Sequence, residues 1–268
     1  MKKLFYIFCL ASLISCKKDP VANPDPVAPI ENYQTNDVQL NITNFSNNQI
    51  LQISKDTVYT SFTPKYINAN GDTFSVSLFK YYLSNFKFKR SDGTYAEEPL
   101  SYHLVNCADT NAFCKLALKN IPYGEYVGVE FVIGVDSALN CSGAQGGDLS
   151  ASSDMFWSWN QGYIFLKFEG YSSSGPPNSY HNIEFHVGGY KAPYNNIKKV
   201  SFDFTANTMI VGEKSPKVYL KANLQKMFTN TVSNVNFATM SVVTSPSSAR
   251  LLATNYSGMF FLGAVVNP

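Results

Sequence analysis

The sequence predicts an all-β protein: a single antiparallel β-sandwich, or barrel-like sandwich, with a short C-terminal helical segment. Three observations carry this. Period-two alternation recurs, first in Val38-Gln39-Leu40-Asn41-Ile42, which puts the aliphatic side chains on one face of a half-buried strand. Hairpin signals, Asn70-Gly71 and Asp92-Gly93, punctuate β-rich runs. Aromatic residues abound (Tyr 17, Phe 20) while only 15% of residues are charged, a balance that suits an exported β-protein.

The N-terminus reads as an export signal. Lys2 and Lys3 precede an apolar stretch from Leu4 to Leu13. That stretch is half the roughly twenty residues a membrane-spanning helix needs, and has the proportions of a signal-peptide core. It ends in Leu13-Ile14-Ser15-Cys16, which resembles the lipobox of bacterial lipoproteins, where the chain is cut before an acylated cysteine. Residues 1–15 are therefore expected to be a signal peptide, with Cys16 the lipidation site bearing acyl chains such as palmitate. Two or more chains suffice for stable anchoring. Asp19 to Asn32 is proline-rich and aperiodic, so residues 16–37 read as an extended tether. The expected location is the outer membrane of a Gram-negative bacterium, facing the periplasm or the cell surface.

Residues 38–268 then form one domain, long enough for a single sandwich core. Phe74, Val76 and Leu78 share one parity, and later Phe86 and Phe88 likewise alternate on one parity. Tyr126 to Val135 is a nearly continuous apolar strand. Strand-like runs follow at 163–168, 182–187, 199–204 and 217–224. Helical character is confined to Leu224–Phe228 and Ser247–Tyr256. The formal charge of +2, with Lys and Arg scattered singly, leaves no nucleic-acid footprint.

Cys107 and Cys114 flank a polar hexapeptide, and in an oxidising compartment a disulfide is expected to staple that loop. A metal site with His103 is the alternative, although the spacing matches no zinc signature. Asp136 and Asp148 flank a glycine-rich loop without the alternating carboxylates of a calcium loop, so they read as surface residues. No catalytic motif is present, and a non-enzymatic domain is expected.

One constellation is more specific. Gly134-Val135-Asp136 leads through the glycine-rich loop into Trp157-Ser158-Trp159-Asn160-Gln161-Gly162-Tyr163, with Tyr81-Tyr82-Leu83-Ser84-Asn85 and Ser101-Tyr102-His103 upstream and Phe185-His186-Val187-Gly188-Gly189 downstream. Together these pieces resemble the MbnP-like family of periplasmic copper-binding proteins. The resemblance implies a β-sandwich that binds copper, a tryptophan oxidised to kynurenine, and a di-haem MauG-like peroxidase as the partner that oxidises it. Carried over, Trp157 or Trp159 is the residue to be modified, and His186 and His103 are candidate ligands. His186 shares a parity with Asn182 and Glu184, opposite Ile183, Phe185 and Val187, and so faces away from the more apolar side. The chain departs from the family at Tyr219 and in Met259–Val266, where many relatives carry histidines. A metal-free envelope module that binds protein or glycan is the alternative function.

Overall fold

In the computed structural model the described residues are 33–54, 65–107, 112–157, 162–229 and 234–268. The expected signal peptide, Cys16, the tether up to Asn32 and Trp159 lie outside them. In chain order the strands are β1 (Thr35–Ser46), β2 (Gln49–Ile50), β3 (Tyr66–Ile67), β4 (Thr73–Lys89), β5 (Tyr95–Glu97), β6 (Tyr102–Asn106), β7 (Phe113–Pro122), β8 (Gly124–Tyr126) and β9 (Gly128–Ile133). They continue with β10 (Phe156–Trp157), β11 (Gly162–Ser172), β12 (Asn182–Gly188), β13 (Lys198–Asp203), β14 (Met209–Val211), β15 (Lys217–Asn223), β16 (Val242–Val243) and β17 (Phe260–Val266). Helices are short: α1 (Ser137–Cys141), α2 (Gln225–Phe228) and α3 (Arg250–Tyr256). α2 and α3 fall where the sequence placed helical character, whereas α1 begins at an Asp136 N-cap inside the glycine-rich stretch.

The larger sheet runs β13–β9–β4–β11–β12–β16, with β3, β5 and β6 also on β4 and β10 on β11. The smaller runs β17–β15–β1, with β2 and β7 completing it on β1. Most pairs are antiparallel, as expected, but β1–β15 and β12–β16 are parallel. A parallel neighbour needs a long crossover, and β15 reaches β1 only after the chain has passed through every strand of the larger sheet except β16.

β4 explains the changes of parity in its sequence. Register shifts against β11 at Glu169/Gly170 and against β9 beyond Ser84 mark bulges, the second at Asn85 with φ 54°. Each bulge inserts one residue and flips the faces. Phe74 and Val76, then Phe79, Tyr81 and Leu83, then Phe86 and Phe88 therefore all join the main core. Leu78, expected to share the face of Phe74 and Val76, lies beyond the first bulge and turns outward beside Glu169.

Aromatic rings close the space between the sheets. Phe260 of β17 meets Tyr81 of β4 at 5.7 Å and Phe131 of β9 at 5.4 Å, both edge to face. Tyr81 Oη donates across the core to Asn44 Oδ1 at 2.8 Å, and Asn44 Nδ2 reaches Ala112 O at 3.2 Å and Cys114 Sγ at 3.7 Å. Cys107 is buried beside Cys114; burial, then the contact with Cys114, pushes its thiol well above the ordinary range. The two sulfurs assigned to a staple are thus neighbours.

A second, smaller cluster covers the outer face of the larger sheet. It gathers Tyr82, Val135, Leu149, Met155, Trp157, Tyr163, Ile164 and Phe165 beneath the segment that links β9 to β10.

Candidate metal centre

The constellation around the glycine-rich segment is a latch. Asp136 accepts from Ala138 N at 2.9 Å and Leu139 N at 3.2 Å, and from the Tyr102 hydroxyl. Burial raises its carboxyl pKa, but the hydrogen bonds from Tyr102, Leu139, Asn85 and Ala138 outweigh burial and hold it below the ordinary range. Asp148 Oδ2 accepts from Leu104 N at 2.9 Å. Both carboxylates thus tie the loop to the sheet. Asn140 is buried, donating to Val135 O at 2.6 Å and accepting from Tyr163 N at 2.8 Å. Tyr163 Oη donates to Leu149 O at 2.9 Å. What this latch holds down is Trp157, whose ring lies on Gly188 of β12.

Next to the latch, β11 and β12 carry a square of ionisable side chains on the same outer face. The register pairs Lys167 with His186 and Glu169 with Glu184. His186 Nε2 hydrogen-bonds Glu169 Oε1 at 2.9 Å and lies 3.5 Å from Glu184 Oε1. The donor atoms of Glu169, Glu184 and His186 all lie within 4.8 Å of one another. Lys167 is buried and points to the Asp154 carboxylate, to Asp154 O at 3.3 Å and to Glu169 Oε1 at 3.4 Å. Lys80, across β11 in the same row as Lys167, turns its ammonium to Ser153 O at 3.1 Å. The hydrogen bond from His186 holds the Glu169 carboxyl below its ordinary range against the opposing effect of burial, and Lys167 adds to it. A cleft of about 180 Å³ opens beside the two carboxylates, lined by Ser77, Gly170, Tyr171 and Asn182.

Chemically, this is one imidazole and two carboxylates. Ligand bonds of about 2.0–2.2 Å place neighbouring donors roughly 3 Å apart, close to the spacings from His186 Nε2 to the two carboxylates. Nitrogen and oxygen donors suit a divalent ion, copper(II) included; among the described residues no cysteine thiolate joins the group. Glu169 and Glu184 oppose each other directly across the strands, an arrangement of like charges that costs stability unless a cation lies between them.

His103 serves a different cluster. Its Nε2 lies 2.8 Å from Glu98 Oε2, which also accepts from Ser101 Oγ at 2.6 Å, while Glu98 Oε1 accepts from Lys119 N at 2.7 Å. Glu98 is buried, so this network fastens β6 to β7 around an internal carboxylate. The structure thus brings His186 together with Glu169 and Glu184, places Trp157 beside the strand that carries His186, and sets His103 in a separate cluster with Glu98.

The sequence model of the MbnP family matches residues 35–245, a span that holds the latch, the square and most strands of both sheets. The chain belongs to the MbnP family. MbnP from Methylosinus trichosporium is a structural neighbour with a TM-score of 0.48 and 18% identity, covering 76% of this chain and 80% of that one. Among curated proteins none matches the sequence. In this MbnP-family domain, sequence reasoning missed Glu169, Lys167 and Asp154. The available signal was Lys167-Phe168-Glu169, two charged residues of one parity inside an otherwise apolar strand.

Proposed function

We propose that this MbnP-family domain is a copper-binding envelope lipoprotein whose ion sits between Glu169, Glu184 and His186. The observation that carries the reading is the pair of directly opposed carboxylates with the His186 imidazole at hydrogen-bonding distance from one of them. His186 and the two glutamates would hold the ion, and the ion would supply a Lewis-acidic or redox-active centre when bound. Binding displaces protons from these side chains, so affinity falls on acidification.

Trp157 is our candidate for oxidation to kynurenine, because its ring abuts β12 at Gly188, two residues beyond His186. The proposed oxidant is a di-haem MauG-like peroxidase, and the proposed anchor is acylated Cys16 in the outer membrane. Equilibrium dialysis of the full chain against copper(II) tests the metal assignment. One ion per chain is expected, with His186→Ala and Glu169→Gln each weakening binding about tenfold or more. Full retention of affinity in both variants overturns it. Peptide mass spectrometry of natively expressed protein tests the kynurenine at Trp157, and palmitate labelling with a Cys16→Ala control tests the anchor.

A metal-free module is the second reading, favoured by Lys167. Its ammonium already neutralises part of the square, and the His186–Glu169 hydrogen bond satisfies both partners.

A further inference from the structure

The outer face of the smaller sheet takes no part in the centre above, and its side chains form an ordered grid. Register sets three rows across β7, β1, β15 and β17: Phe113–Thr43–Lys221–Phe261, then Lys115–Asn41–Tyr219–Ala264, then Ala117–Gln39–Lys217–Val266. The alternation of β1 and β15 sends Leu40, Ile42, Val218 and Leu220 inward and every grid residue outward. Three aromatic rings stand exposed on it, Phe113 at 55%, Phe261 at 40% and Tyr219 at 39%. Single exposed apolar residues are ordinary, but three on one flat face mark an interaction surface.

The charge is one-sided. Lys115, Lys217 and Lys221 belong to the grid, and no carboxylate does. Among the described residues none of the three forms an ion pair. Lys119, at the edge, is already held by Asp37 at 2.6 Å. Between Phe113 and Tyr219 lies a cleft of about 360 Å³ whose walls include Gln39, Asn41 and Thr43; Phe261 does not line it.

We propose that this face binds an acidic polysaccharide. A sugar ring offers an apolar C–H face for aromatic stacking and hydroxyls for side-chain amides, which Tyr219 and Phe113 and then Asn41 and Gln39 supply. Carboxylates on the polymer meet the lysines. With strands about 4.8 Å apart and rows about 7 Å apart, the grid spans roughly 14 Å each way, room for a short oligosaccharide. An anionic lipid surface fits less well, because inserting the rings would desolvate the amides of Gln39 and Asn41 without giving them partners.

The test uses the full chain in non-ionic detergent, with immobilised polygalacturonate as the probe and its methyl ester as the uncharged control. The expected result is salt-sensitive binding to the acid form, about tenfold or more tighter than to the ester. The triple variant K115Q/K217Q/K221Q and, separately, Tyr219→Ala each lose about tenfold or more. Both change exposed side chains, and unchanged far-UV circular dichroism verifies folding. Equal binding to acid and ester, or binding indifferent to both variants, overturns the proposal. So does displacement by short-chain phosphatidylglycerol at concentrations where a neutral short-chain lipid has no effect. Because the face lies on the other sheet, its failure leaves the copper assignment untouched, and the reverse.

Discussion

The ring of Trp157 is seated on Gly188: a Cβ at position 188 would lie 2.6 Å from Trp157 Cζ3 and 2.7 Å from Tyr163 O. Glycine at this point of Phe185-His186-Val187-Gly188-Gly189 is a packing requirement. Gly188→Ala is expected to destabilise the domain by about 1–3 kcal/mol, as overpacking does, measured by urea denaturation. An unchanged midpoint would mean the ring is not held there.

Lys167 competes for the carboxylate that the proposed ion would use. Its Nζ lies 3.4 Å from Glu169 Oε1. Replacing it by the similarly shaped Lys167→Met removes a like charge from the ion's surroundings. Copper(II) affinity in equilibrium dialysis should rise about tenfold or more, since unit charges a few ångströms apart interact by kcal/mol even at intermediate dielectric. If the square is only an internal salt network, the same variant produces no gain.

Acid sensitivity has a defined sign. The His186 hydrogen bond, the largest influence on Glu169, holds its folded-state pKa below the ordinary value of 4.5 against burial. The unfolded chain therefore takes up its proton first as pH falls. The stabilisation is complete above that ordinary value and is lost as pH drops through the folded-state value. Urea midpoints recorded from about pH 6 to 3 should fall for the natural protein, and less steeply for Glu169→Gln.

Cys107 and Cys114 are adjacent in the core, and we expect them to be joined in protein exported to an oxidising compartment. Alkylation of the denatured, unreduced chain followed by mass spectrometry should then label Cys141 and leave both others blocked until reduction. The closed loop is short, so reduction should cost about 2–3 kcal/mol of stability. Labelling of all three without reductant would exclude the staple.

Much of the architecture was readable because alternation and turn chemistry are local. Val38, Leu40 and Ile42 point inward as their spacing requires, and Gly71 and Gly93 both adopt φ +86° in the predicted turns. Parity failed at Leu78, where a bulge reverses the faces without any residue that announces it. For the site, His186 could be oriented from its own strand, beside Glu184. Its closest partner, Glu169, comes from the neighbouring strand, and only the β11–β12 register brings the two together. His103 is the second ligand candidate in the sequence, but its environment is decided by buried Glu98, a residue outside its strand. Asp136 and Asp148 likewise show their purpose only when their backbone partners are seen.

The most direct measurement is electron paramagnetic resonance of the full chain loaded with one equivalent of copper(II), beside His186→Ala. A single axial copper signal coupled to one imidazole, and missing from the variant, is the predicted result. Coupling to several imidazoles, or a spectrum unchanged by His186→Ala, would contradict the site at Glu169, Glu184 and His186.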